Sequence, residues 1–128
     1  MTSVVLDASA VLALIRNEPG ADKVAPHIGR AAISAVNLQE VVKELLLSGF
    51  DEATPRELLD ELHLDVRAHD VEAAYAAAAW HAQTRQYGRN LGDRSCLALA
   101  VRLGVPALTA DSEWKKVKVK DLKLEHIR

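Results

Sequence analysis

Val4-Val5-Leu6-Asp7-Ala8-Ser9-Ala10-Val11-Leu12-Ala13-Leu14-Ile15 is the stretch from which the rest of the chain can be read. Val4 to Leu6 is a short apolar run suited to a buried strand, and Ala8 to Arg16 predicts a helix that starts at once. Asp7 stands on the joint. In an open α/β sheet, ligands bind in the crevice beyond the carboxyl ends of the strands. A carboxylate at that joint is therefore a candidate catalytic or metal-binding group. Aspartate is also a good helix N-cap, and this stretch alone admits both roles.

Working outward, Asn17-Glu18-Pro19-Gly20 predicts a turn and Ala21 to Ile28 a second short helix. Ala31-Ala32-Ile33, ending at Ser34, reads as a second strand. A helix follows from Val36 to Leu47, with Leu38, Val41, Val42, Leu45 and Leu46 at helical spacing and Ser48-Gly49 as its stop. Thr54-Pro55-Arg56-Glu57 predicts a helix start with Thr54 as cap, the helix running to about His63. Leu64-Asp65-Val66 reads as a third strand. Asp70 caps a long alanine-rich helix from Val71 to about Tyr87. After a loop over residues 88–92, Asp93 opens a helix from Arg94 to Leu103. Val105 to Thr109 reads as a fourth strand, with Pro106 near its start, where a missing N–H is tolerated. A short helical piece around Ser112 to Lys115 follows, and Leu122 to Ile127 alternates as a half-exposed edge strand does. Short strands separated by helices imply an α/β fold with a parallel sheet covered by helices.

The 128 residues suffice for a single domain, 1–128, with its own core. About half are hydrophobic and few are aromatic, an ordinary globular composition. No apolar run approaches the ~20 residues of a membrane span. The N-terminus has no signal-peptide pattern, and Cys96 is the only cysteine. A cytoplasmic protein is the expectation. The net charge of −2 hides an asymmetry: residues 1–84 carry −7 and residues 85–128 carry +5. An acidic partner such as nucleic acid remains compatible with that local basic excess.

Four carboxylates recur near strand ends. Asp7 follows the first strand, Asp111 follows the fourth, Asp93 opens the helix that leads into the fourth, and Glu40 projects from the helix after the second. Parallel strands put Asp7 and Asp111 on one rim, whereas the reach of Glu40 and Asp93 depends on strand order and helix tilt. Four ionised carboxylates in one place repel one another unless a cation balances them, and Mg²⁺ or Mn²⁺ prefers such oxygen ligands. Helix starts at Asp7, Asp93 and Asp111 favour the charged form. A divalent ion with open positions suits phosphodiester hydrolysis. As plain residues, Asp93 and Asp111 are equally N-caps and Glu40 a solvated helix residue.

The segments VVLDASAVLALI (4–15), ISAVNLQEV (33–41), LGDRSCLALA (91–100) and PALTADSEW (106–114) resemble the PIN-domain family, specifically its VapC-type toxin ribonucleases. They occur in family order and spacing over nearly the whole chain. The resemblance implies an αβα sandwich around a short, mostly parallel sheet. It implies that Asp7, Glu40, Asp93 and Asp111 form a catalytic Mg²⁺ or Mn²⁺ site, supported by Ser9, Asn37 and Thr109. It further implies endonuclease activity on structured RNA such as tRNA or rRNA with arrest of translation, a homodimer, and inhibition by a cognate VapB-type antitoxin.

Arg85, Arg89 and Arg94 flank Asp93, and Lys115 and Lys116 follow Asp111, so these are the candidate contacts to RNA phosphates. Each one singly is as readily a surface charge. Trp80 and Trp114 could stack on bases but suit a core or an interface. The five histidines lack zinc-ligand spacing, and Cys96 reads as a small buried residue. A receiver-type signalling domain would need paired acids after the first strand, and Asp7 stands alone. An aspartyl phosphatase would need an acid where Ser9 stands. A PIN domain that binds RNA without cutting would be marked by a lost acidic position, and all four are present.

Overall fold

The computed structural model describes residues 1–85, 91–117 and 121–128, apart from the side chain of Lys116. Five strands form one sheet in the order β3-β2-β1-β4-β5: β1 is Val4–Leu6, β2 Ala31–Ser34, β3 Asp65–Arg67, β4 Ala107–Thr109 and β5 Leu124–His126. Every pairing is parallel, with Val5 opposite Ala32 on one side and Ala107 on the other. The first strand, β1, lies at the centre of the sheet, and the chain passes to β2 on one side and later to β4 on the other. That is a topological switch point, where the loops diverge and leave a crevice at the carboxyl ends.

Because strand side chains alternate between faces, the two faces have separate cores. Val4, Leu6, Ala31, Ile33 and Leu108 pack with α1 (Ala8–Ile15), α2 (Ala21–Val24), α3 (Ala35–Leu47) and α4 (Ala53–Asp60). Val5, Ala32 and Ala107 face Trp80, Trp114, Leu97 and Leu99, under α5 (Val71–Ala79) and α7 (Leu91–Leu103). Helices on both faces of a parallel sheet make the covered sheet the strand–helix alternation predicts and the αβα sandwich the resemblance implies. The small residues Ala32 and Ala107 on the second face leave room for the two tryptophans, both buried in the core. Gly20 closes the turn after α1 at φ +98°, and a Cβ there would meet the Ile127 carbonyl oxygen at 2.5 Å, so this turn requires glycine.

Several boundaries differ from the sequence reading. The second helix stops at Val24, and Ala25–His27 tightens to a 3₁₀ turn around Pro26, which cannot donate the next helical bond. Thr54 is not the cap of α4. The helix starts at Ala53, and Asp51 accepts from the Thr54 N–H at 3.0 Å and its hydroxyl at 2.9 Å. The same helix ends at Asp60, short of His63, whose φ of 47° is left-handed. The third strand begins at Asp65 and the fourth at Ala107, each later than its hydropathy suggests.

The alanine-rich helix is two pieces, α5 and α6 (His81–Thr84), divided at Trp80. The Thr84 hydroxyl donates to the Trp80 carbonyl at 2.7 Å, a back-bond that bends helices. Tyr87 lies outside the described residues. Asp70 caps α5 as expected, accepting from the Ala73 N–H at 2.9 Å. Among the described residues, no helix is long and apolar enough to cross a membrane.

Candidate active site

Asp7 emerges from β1 at the switch point and is only 5% exposed. Three donors fix its carboxylate. Ser9 Oγ donates to Oδ1 at 2.7 Å, the Ala10 N–H to Oδ1 at 2.9 Å, and Thr109 Oγ1 to Oδ2 at 2.5 Å. Asp7 is thus the helix cap that the opening stretch allowed, and it remains a candidate ligand as well. The two hydroxyls also accept: Ser9 Oγ from the Ala110 N–H at 2.9 Å, and Thr109 Oγ1 from the Asp111 N–H at 3.0 Å. The loop after β4, and Asp111 with it, is latched to the carboxylate after β1. Asp111 turns Oδ1 to the Glu113 N–H at 3.0 Å, capping the 3₁₀ helix Ser112–Lys116.

Glu40 and Asp93 approach from the other side. Asn37 is 2% exposed, and its Nδ2 donates to Glu40 Oε1 at 3.2 Å and to the Gly92 carbonyl at 3.0 Å. One amide thereby joins α3 to the start of α7. Asp93 does not open that helix: α7 begins at Leu91 and Asp93 lies in its first turn, where the amide dipoles still favour a negative charge.

Burial pushes the Asp7 carboxyl from 3.8 to about 6, with Asp93 adding to the rise and the three donors opposing it. Glu40 is also raised, by burial first and then by the charges of Asp93 and Asp7, against the Asn37 bond. Cys96 is fully buried among the same acids, and its thiol is pushed well above its ordinary value by burial and then by Asp7, Asp93 and Glu40. It is no nucleophile. Three carboxylates therefore share one electrostatic field, and the Asp111 backbone is tied to Asp7 through the Thr109 latch.

The donor set fits a hard divalent ion, since it offers carboxylates with amide and hydroxyl oxygens. Asn37 Oδ1 is a buried acceptor without a hydrogen-bond partner among the described residues. Among the described residues, however, no three His, Cys, Asp or Glu side chains converge closely enough to grip an ion together. Like charges separate as far as their packing permits.

The structure also brings in residues that the sequence reading passed over. A Cβ at Gly92 would collide with Glu40 Oε1, so the glycine makes the space Glu40 occupies. The only cue in the sequence is its place beside Asp93. His126 lies opposite Thr109 on β5, and its ring is held below its usual value by burial and Lys115, against Asp111. Among the candidate RNA contacts, Lys115 and Arg85 are exposed, while Arg94 Nε donates to Thr84 Oγ1 at 3.4 Å. Arg89 and the side chain of Lys116 lie outside the described residues.

Thr109→Val tests the latch. It removes a donor to Asp7 and the acceptor of the Asp111 N–H, which costs about 1–3 kcal/mol when such groups stay buried. Thr109 stabilises the charged form of Asp7, so the loss should be larger at pH 8 than at pH 4. Urea unfolding at the two values measures it, and an equal loss at both would show that Thr109 does not act through the carboxylate.

The PIN domain family model matches residues 4–120. The chain belongs to the PIN domain family. No curated protein matches it. Among solved structures, a chain of the DNA-bound VapBC structure from Salmonella typhimurium aligns with a TM-score of 0.74 at 16% identity, over 100% of both chains. A toxin-antitoxin complex from Klebsiella pneumoniae aligns at 0.72 and 17% identity, over 94% of this chain and 95% of the other. VapBC2 from Rickettsia felis, bound to a promoter DNA fragment, aligns at 0.71 and 15%, over 98% of each. Identities this low are likenesses of fold, and they agree with the PIN architecture of the five-stranded sheet.

Proposed function

We propose that this PIN domain is a metal-dependent endoribonuclease toxin of the VapC type, acting on structured RNA such as tRNA or rRNA. The observation that carries the reading is the field of Asp7, Glu40 and Asp93 at the switch point, together with Asn37 Oδ1, a buried acceptor without a partner among the described residues. Asp7, Glu40, Asp93 and Asp111 would hold Mg²⁺ or Mn²⁺. When bound, such an ion supplies charge that offsets the phosphate oxygens and lowers the pKa of water. The protein's part is to hold the ligands still. Ser9, Thr109 and the Ala10 N–H orient Asp7, and Asn37 orients Glu40 while anchoring the first turn of α7.

The VapBC complexes among the structural neighbours support a VapB-type antitoxin as partner. The same reading carries with it a homodimeric toxin acting in the cytoplasm. Apolar surface on and around α3, including Leu46, Leu47, Phe50 and Val66, is exposed in the isolated chain and is of the kind a protein partner covers. A PIN domain that binds RNA without cutting is the second reading, favoured by the failure of three acids to converge among the described residues.

Antitoxin-free protein incubated with total cellular RNA separates the two. Discrete fragments formed with Mg²⁺ or Mn²⁺ and absent with EDTA are the expected result, and the fragment ends identify the target. Retention of RNA with no cleavage under either metal would establish the non-cutting reading. A metal titration of the thermal midpoint at pH 7.5 runs alongside. Saturating Mn²⁺ should raise Tm, by about 2.7 kcal/mol of added stability at a hundred times its Kd, and EDTA should reverse it. No change in Tm would remove the metal from the mechanism.

A further inference from the structure

A second polar crevice opens beyond β2, on the side away from Asp7. It has a volume of about 150 Å³ and lies between α5 and α7. Its floor is a pair of buried hydroxyls: Ser34 Oγ and Ser95 Oγ are 2.5 Å apart, and Ser95 Oγ is 3.1 Å from His69 Nδ1. Both serines are more than nine-tenths buried, whereas His69 is exposed and its Nε2 has no partner among the described residues. The alanines of α5 and α7 at the walls keep the space open.

The rim charges are unequal in their commitments. Arg67 is paired with Asp65, Nε and Nη2 each lying 3.0 Å from Oδ2. Asp70 is turned to the Ala73 N–H as the cap of α5. Arg102 is exposed and has no hydrogen bond or ion pair among the described residues. What remains is an unspent guanidinium and an imidazole edge around a space of limited size, over a floor of hydroxyls engaged with one another and with His69. That combination recognises a phosphate group.

Its place in the fold decides which phosphate. Ser34 ends β2, one strand spacing (about 4.8 Å) from β1 and Asp7. Ser34 is also the cap of α3, which carries Asn37 and Glu40, and Ser95 follows Asp93 by two residues on α7. We infer that the crevice bounded by Ser34, His69, Ser95 and Arg102 is a subsite for a phosphate of the RNA strand neighbouring the one that is cleaved. This rests on the ribonuclease reading. The same hydrogen-bond chain ties α3 to α7, so filling the subsite bears on the two helices that carry the candidate ligands.

Two measurements on the whole protein test it. The first uses inorganic phosphate as probe, in EDTA, followed by NMR. The amides of Ser34, His69 and Ser95 should shift on titration, and the shifts should vanish in Arg102→Glu. Phosphate that leaves these amides unmoved overturns the subsite. The second uses RNA. Arg102→Glu should raise KM for cleavage about tenfold, with kcat much less affected, and Arg102→Lys should recover most of the loss. The slope of log binding constant against log salt should fall by about 0.7 in Arg102→Glu, the value for one phosphate contact on a single strand. Unchanged KM and slope, with phosphate still bound, would assign the crevice to a free phosphate and overturn the RNA subsite. Should the protein cut no RNA, the nuclease reading fails by itself, and the salt slope still decides whether the crevice holds an RNA phosphate.

Discussion

Asp7→Asn is expected to abolish metal-dependent RNA cleavage and, without metal at pH 7.5, to raise the thermal midpoint. Both effects follow from a carboxylate that is 5% exposed with its pKa at about 6 rather than 3.8. The folded state holds that proton more tightly than the unfolded chain does. The stability this contributes is therefore fully present below pH 3.8 and lost as the pH rises through about 6. At roughly 1.4 kcal/mol per pH unit, the metal-free protein gives up on the order of 3 kcal/mol across that window. Glu40 shifts in the same direction and adds to the trend.

The amide carries no charge and keeps two of the three contacts. Its oxygen still accepts from Ser9 and the Ala10 N–H, and its nitrogen faces Thr109. Each recovered kcal/mol raises Tm by about 4 °C in a domain of this size. The decisive observation is a crossover: Asp7→Asn more stable than wild type in EDTA, and no longer so in saturating Mn²⁺, where only the wild type gains. Cleavage at the wild-type rate would remove Asp7 from the site. A variant less stable than wild type at pH 7.5 in EDTA would mean that burial does not penalise the charge as described.

Gly92→Ala has the second large effect, and the sign of its stability change makes it informative. In a helix, alanine is better than glycine by up to about 1 kcal/mol. The added Cβ, however, occupies the position of Glu40 Oε1. A glutamate tip can swing aside, so the fold survives. What is lost is the Glu40 position that Asn37 Nδ2 holds at 3.2 Å. Cleavage should fall at least about tenfold, the equivalent of 1.4 kcal/mol. Divalent-metal affinity should fall with it, while Tm stays within a few degrees of wild type. Calorimetric titration with Mn²⁺ and a thermal melt suffice to check this. Wild-type metal affinity in Gly92→Ala would show that Glu40 holds no ion.

Much of this was legible in the chain. Local patterning reports what is local: the strand Val4–Leu6, the immediate helix after Asp7, the caps at Asp7 and Asp70, and the stop at Ser48-Gly49 all depend on neighbours within four residues. The four matching segments were sufficient to recognise the PIN family, and the alternation of strands and helices to expect a covered parallel sheet. Where the local reading failed, a competing contact won. Asp51 displaced Thr54 as the capping side chain because it accepts both of that residue's donors. The alanine-rich helix broke at Trp80, whose ring is buried in the core and whose carbonyl is taken by Thr84.

Tertiary structure alone decided the geometry around Asp7. No periodicity places β1 between β2 and β4, yet that order sets Asp7 beside Thr109, 102 positions away in the chain, and lets two hydroxyls bind both the carboxylate and the loop of Asp111. Nor could the chain show that one buried amide, Asn37, spans Glu40 and the Gly92 carbonyl, or that Gly92 is small because Glu40 needs its space. The sequence by itself determined which residues carry charge and where strands pass into helices, because those are properties of type and short-range order. Which charges share a field was decided only when distant segments were packed together, because Coulomb repulsion and desolvation depend on distance and burial in space, not on separation along the chain.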